Sequence, residues 1–241
     1  MSATMRVVDI CARHAHAGGR RRAFACAIMI GTLAASSGCG GSIGDETHKI
    51  NGSVHVNANR PAGSAQTVNG SIRVDDNGKV TSAESVNGDI HLGARASADD
   101  LKAVNGGIKL DAGARVAHSV KSVNGSITLQ EGAEVLGELR NVSGHIELNG
   151  AHVGGGIVTV AGDISVLGPS HVEGGIVVQK PSGELISIHG DVPRVVIGPG
   201  ATVQGEMRFE REVHLLVSDH ATIGTVSGAT ASTFSGDTPP K

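Results

Sequence analysis

Four basic residues recur at one step along the chain: His55, Arg73, His91 and Lys109 stand 18 residues apart. Each sits between two apolar residues, as in Val54-His55-Val56 and Ile108-Lys109-Leu110. On an extended backbone the middle residue of such a triplet points away from its neighbours, so the four form one outward basic column. A line of positive charge is a contact surface for an anionic polymer such as lipopolysaccharide or a wall glycan. Asp75, Asp89 and Asp111 lie two residues from members of the column and offset part of its field. The competing reading is a solvated face with no ligand.

Other groups with chemical capacity are less organised. Asp75-Asp76-Asn77-Gly78 begins like a calcium loop but lacks the later glutamate and the EF-hand spacing, and reads as a turn. Ten histidines follow Cys39, yet no Cys/His pair has zinc-site spacing, so neither a metal centre nor a cofactor is expected. Position alone assembles no set of nucleophile, base and orienting group.

The elements that must carry these residues are set by a repeat. Ile50-Asn51-Gly52-Ser53-Val54 is followed by Val68-Asn69-Gly70-Ser71-Ile72, Val86-Asn87-Gly88-Asp89-Ile90 and Val104-Asn105-Gly106-Gly107-Ile108. Val123-Asn124-Gly125-Ser126-Ile127, Val142-Ser143-Gly144-His145-Ile146 and Val160-Ala161-Gly162-Asp163-Ile164 continue it, at steps of 18, 18, 18, 19, 19 and 18 residues. A fixed period near twenty marks a solenoid, in which each unit buries its apolar face only against its neighbours.

Within a unit, pairs such as Ile108 with Leu110 and Ala114 with Val116 have the period-two pattern of short strands. Successive pairs start about six residues apart, which makes a three-sided coil. The expected fold is therefore all-β: a single-stranded parallel β-helix of about 18 residues per coil and about nine coils, roughly 40 Å long. Corners fall at the Asn-Gly steps and at glycine-rich joints, where positive φ is tolerated. Gln66 and Glu84 occupy positions where later coils carry Val or Leu.

Asn51, Asn69, Asn87, Asn105 and Asn124 are expected to stack as a structural ladder of buried amides, each NH₂ bonded to the carbonyl of the coil above. The solenoid is assigned to residues 50–226, with an insertion at 179–194 that carries two prolines and no repeat register, and a disordered tail at 227–241.

Composition agrees with this architecture. The 241 residues include 36 glycines and 39% hydrophobic residues, but aromatics only at Phe24, Phe209 and Phe234. The interior must be built from Val, Ile, Leu and Ala, which suits a narrow, evenly packed coil. Residues 1–38 hold five of the arginines and one acid, so the chain from Cys39 onward carries 15 basic and 22 acidic residues. An acidic chain without stacking platforms is a poor nucleic-acid binder, and that partner class is set aside.

The first segment reads as an address. Arg20-Arg21-Arg22 precedes an apolar run from Ala23 to Ala35, the shape of an export signal and too short to span a bilayer. Arg21-Arg22-Ala23-Phe24 also resembles a twin-arginine signal. Ser36-Ser37-Gly38-Cys39 resembles a bacterial lipobox, with Ser36 where lipoproteins usually carry Leu. This resemblance implies a signal peptide at 1–38, lipidation of Cys39, a tether at 39–49, and anchoring to the outer membrane, since Gly40 is not the inner-membrane retention residue Asp. Ordinary cleavage near Ala35 is the alternative. Cys11 and Cys26 lie in the leader, so Cys39 is the one cysteine of the processed chain and no disulfide framework is available.

The repeated Val-Asn-Gly-Ser-Ile and Val-Asn-Gly-Asp-Ile motifs resemble the β-strand-repeat adhesin family of bacterial envelope proteins over residues 50–178. The segment Ile197-Gly198-Pro199-Gly200-Ala201-Thr202-Val203 is similar to bactofilins and to hexapeptide-repeat proteins. Bactofilin resemblance implies a right-handed, polymer-forming triangular helix; hexapeptide resemblance implies a left-handed one. The period alone leaves both open, and the right-handed form is expected. The function implied is a lipid-anchored cell-envelope scaffold or adhesin-like module without catalysis. The alternative is a self-associating, bactofilin-like polymer former joined through the solenoid ends. A β-helix enzyme acting on envelope polysaccharide comes third: hexapeptide acyltransferases need an acyl donor foreign to the envelope, and lyases carry longer coils with projecting loops.

Overall fold

The computed structural model describes residues 45–181 and 192–236; the expected signal peptide, Cys39 and most of the 179–194 insertion lie outside the described residues. Every regular element among the described residues is a strand, paired in parallel with its counterpart one coil away. The chain is a β-solenoid, and its coils stack residue on residue. Ile72 lies over Val54, Ile90 over Ile72, Ile108 over Ile90 and Ile127 over Ile108. All five are at most 1% exposed. Burying an aliphatic side chain of this size contributes about 1.5–3 kcal/mol, and no single coil could collect that gain alone.

Two sheets build the coil. Short strands, from Val54–Val56 through Ile108–Leu110 to Ala231–Phe234, form one sheet of ten strands. The remaining fifteen strands form a second sheet that forks. In its early coils the strands are long: Ala62–Asn69, Lys79–Asn87, Ser97–Asn105 and Arg115–Asn124. Their buried residues break the alternation once, between Val80 and Ala83, Ala98 and Leu101, and Val116 and Val120. Each long strand thus turns a corner while keeping both flanks inward. Beyond Arg115–Asn124 the sheet divides, with Glu134–Val135 pairing the first half of that strand and Leu139–Ser143 the second.

The extra residue of the 19-residue step is taken up at this same bend. Ala98 pairs with Val116, but Asp100 pairs with Ser119.

Several expectations need correction. Among the described residues the short-strand sheet has ten strands, so the solenoid makes about ten turns against the about nine expected. The added turn lies in the tail expected to be disordered: Ala231–Phe234 pairs in register with Leu215–Ser218, and Phe234 is buried. The end of the expected tether is likewise part of the solenoid, because Asp45–Asn51 is a strand paired with Ala62–Asn69. Gln66 and Glu84 are no irregularity. They face outward in register with Lys102, and the inward column one residue earlier runs Ala65, Ala83, Leu101, Val120, Leu139.

From Gly70 onward the glycine of each Asn-Gly corner is required by contact with the preceding coil, whereas Gly52 of the first corner is free of such contact and sits at φ 110°. A Cβ on Gly88 would sit 2.1 Å from the Gly70 carbonyl oxygen, and one on Gly106 would sit 2.2 Å from that of Gly88. At the opposite corner φ does decide. Asn77, Arg95, Gly113, Gly132, Gly150, Gly168 and Gly200 occupy one left-handed column, with φ between 56° and 75°. Asp75-Asp76-Asn77-Gly78 is the first of these turns, closed by the Gly78 amide donating to the Asp75 carbonyl at 2.8 Å.

Candidate functional site

The Asn ladder forms. Asn69 donates its side-chain amide to Asn51 Oδ1 at 3.0 Å, Asn87 to Asn69 at 3.0 Å, Asn105 to Asn87 at 3.0 Å, and Asn124 to Asn105 at 3.1 Å. Two details differ from the expectation. The column is exposed, not buried, and each amide donates to the preceding coil.

The buried polar groups of this corner stand two residues earlier and were not singled out from the sequence. Thr67 Oγ1 donates to the Gly52 carbonyl at 3.0 Å, Ser85 Oγ to Gly70 at 3.2 Å, and Asn141 Nδ2 to Gly125 at 3.1 Å. Ala103 occupies the same column between Ser85 and Ser122 and has no hydroxyl to offer. The signal was present as the small polar residue before three of the four Val-Asn-Gly motifs, Thr67, Ser85 and Ser122.

His55, Arg73, His91 and Lys109 do form one column, paired residue to residue on the ten-stranded sheet. Most of its members are engaged locally. His55 Nε2 lies 2.6 Å from Asp75 Oδ1, His91 Nε2 lies 2.6 Å from Asp111 Oδ2, and Lys109 Nζ lies 3.0 Å from Asp111 Oδ1. Burial raises the Asp111 carboxyl, but hydrogen bonds and charge from Lys109 and His91 outweigh it and hold it below its ordinary value of 3.8. Asp89 does not join these pairs; its Oδ1 accepts the Gly107 amide of the next coil at 2.7 Å. The column ends at Thr128, which pairs with Lys109.

A second outward column lies on the forked sheet. Arg115, Glu134, His152 and His171 follow one another in register. Arg115 Nε donates to Glu134 Oε2 at 2.7 Å, and Glu134 Oε1 lies 3.5 Å from His152 Nδ1. His152 Nε2 lies 3.0 Å from Glu173 Oε1, and the two imidazole centroids are 5.6 Å apart. Local spacing hides this cluster, because its members are separated by a whole coil.

Comparison with family models, curated proteins and solved structures finds no match to this chain.

Proposed function

We propose that the chain is a lipid-anchored protein of the bacterial cell envelope, held at the outer membrane through acylated Cys39. Its solenoid acts as a structural scaffold or adhesin-like interaction module without catalysis. The observation that carries this reading is the unbroken parallel stacking of ten turns, in which outward polar side chains bond to the next coil. Such a body holds its shape along its length and presents long, repetitive faces, as a spacer or adhesive module requires. The repeat motifs that resemble envelope adhesins, and the basic leader ending at Cys39, support the same address.

An anionic envelope polymer is the partner the basic column would take. Arg73 carries that role first, since His55, His91 and Lys109 each have an aspartate partner. The test joins localisation to binding. Cys39→Ser or globomycin is expected to block cleavage before Cys39, leaving a larger precursor that no longer fractionates with the outer membrane. Arg73→Glu with Lys109→Glu is expected to abolish pull-down by lipopolysaccharide or wall glycan. Unchanged fractionation of Cys39→Ser would sink the anchored reading.

A polymer-forming role is the second reading, favoured by the N-terminal edge. Among the described residues, Asp45–Asn51 and Val54–Val56 each pair on one side only, which leaves a strand edge free to receive another solenoid. Sedimentation and electron microscopy separate the two, because a strictly monomeric protein at high concentration excludes the filament.

A further inference from the structure

We infer that His152, His171 and Glu173 form a binding site for a borderline divalent transition-metal ion, with Zn²⁺ as its representative. The strands His152–Val153 and His171–Val172 pair in register, so the fold itself places one imidazole beside the other. Glu173 follows on the second strand's exit and reaches back to His152 Nε2 at 3.0 Å. One ligand atom from each of the three lies within 4.8 Å of the others. Tetrahedral ligands on one zinc ion stand about 3.4 Å apart at coordinate bonds of about 2.1 Å. The set therefore needs only small side-chain rotations to close on a metal. His152 is half-buried and Glu173 is more than half exposed, which leaves that movement free.

The surroundings prepare His152 as a ligand. Its Nδ1 faces Glu134 Oε1 at 3.5 Å, and Glu134 is itself held by Arg115. A carboxylate behind one ring nitrogen keeps the proton there and turns the lone pair of the other nitrogen outward. Here that other nitrogen is Nε2, pointing at Glu173 and beside His171, where a cation would sit between the imidazoles and the carboxylate. Two imidazoles and one carboxylate suit Zn²⁺, Ni²⁺ or Cu²⁺, and disfavour Ca²⁺ and Mg²⁺, which prefer oxygen ligands throughout. Three protein ligands leave a position for water or for a donor from a partner. The bound ion clips two neighbouring coils together on the face away from the basic column.

The test is Zn²⁺ titration of the full chain by calorimetry, together with Cu²⁺ electron paramagnetic resonance. The wild type is expected to bind one equivalent with micromolar affinity at this site, to melt at a higher temperature with Zn²⁺, and to ignore Ca²⁺. His171→Ala is expected to weaken that affinity at least tenfold, and His55→Ala with His91→Ala to leave it unchanged. The Cu²⁺ spectrum is expected to report two nitrogen ligands in the wild type and one in His171→Ala. Equal Zn²⁺ affinity in wild type and His171→Ala, or a Cu²⁺ spectrum indifferent to that substitution, would overturn the site.

Discussion

Asn105 donates its side-chain amide to Asn87 at 3.0 Å, and Asn87 donates in turn to Asn69 at the same distance. Asn87 is thus both donor and acceptor in a column that runs on the solvent side of its corner. Leucine at this position removes two bonds at once and puts an apolar group in water. Each such bond contributes about 0.5–1.5 kcal/mol net, and solvent competition places these near the lower limit. Asn87→Leu is expected to lower the melting temperature by the equivalent of about 1–2 kcal/mol. An unchanged melting curve would show that the ladder is ornamental.

Adjacent glycines offer a sharper comparison. A Cβ on Gly106 would meet the Gly88 carbonyl oxygen at 2.2 Å, whereas one on Gly107 finds nothing nearer than 3.3 Å. Gly106→Ala must spread two coils and is expected to cost about 1–3 kcal/mol, as overpacking does. Gly107→Ala is expected to be nearly neutral. Chemical denaturation of the two variants side by side reads the difference, and equal costs would contradict the stacking of glycine on carbonyl.

Arg95 stands in the left-handed column at φ 56°, where the later coils use glycine. Its Nε donates to Asn77 Oδ1 at 3.0 Å. Replacing it by alanine or by glycine removes that bond alike, but only glycine relieves the clash of Cβ with the backbone. That clash costs about 1–2 kcal/mol for an L-residue. Arg95→Gly is therefore expected to be more stable than Arg95→Ala by about 1 kcal/mol in equilibrium unfolding, the reverse of the order expected within a strand.

The Asp111 pairs give a pH dependence of known sign. Its carboxyl titrates below 3.8 in the folded chain, so its stabilising contribution is present above the unfolded value and is lost as pH falls through the folded one. Asp111→Asn is expected to be slightly less stable than wild type near neutral pH, by under about 1 kcal/mol for a partly exposed pair. The gap should close in acid. Thermal melts from about pH 7 down to about pH 2.5 test this, and a constant gap would exclude Asp111 as its source.

The fold was legible in the sequence wherever a corner demanded a fixed residue. Gly70, Gly88 and Gly106 recur because no other side chain fits against the preceding carbonyl, and the coil period could be counted from them. Legibility failed where a coil forms without that corner. Ala231–Phe234 has no Asn-Gly step before it, and its place is set by pairing with Leu215–Ser218. The one-residue misplacement at Gln66 and Glu84 has a related cause. Of the long strands only Ala62–Asn69 has a glycine at its bend, Gly63; Lys79–Asn87, Ser97–Asn105 and Arg115–Asn124 bend without one, so no recurring residue marks where the alternation slips. The histidine cluster was invisible for a different reason. Zinc-site spacing joins residues within one turn, but in a solenoid the coil period itself brings residues together, and His152 and His171 are separated by one coil.

The Asp163 side chain accepts the Arg194 amide at 2.8 Å across a sequence gap of 31 residues, where the equivalent bond from Asp89 to Gly107 spans 18. The strands on either side of this gap pair in register, with Ile164 beside Val195 and Ile176 beside Met207. Added chain at this corner leaves the ladder undisturbed. The corner is therefore a display port: a foreign epitope or reporter peptide exchanged for residues 182–191 would be carried on the side of the rod without rewriting a single coil.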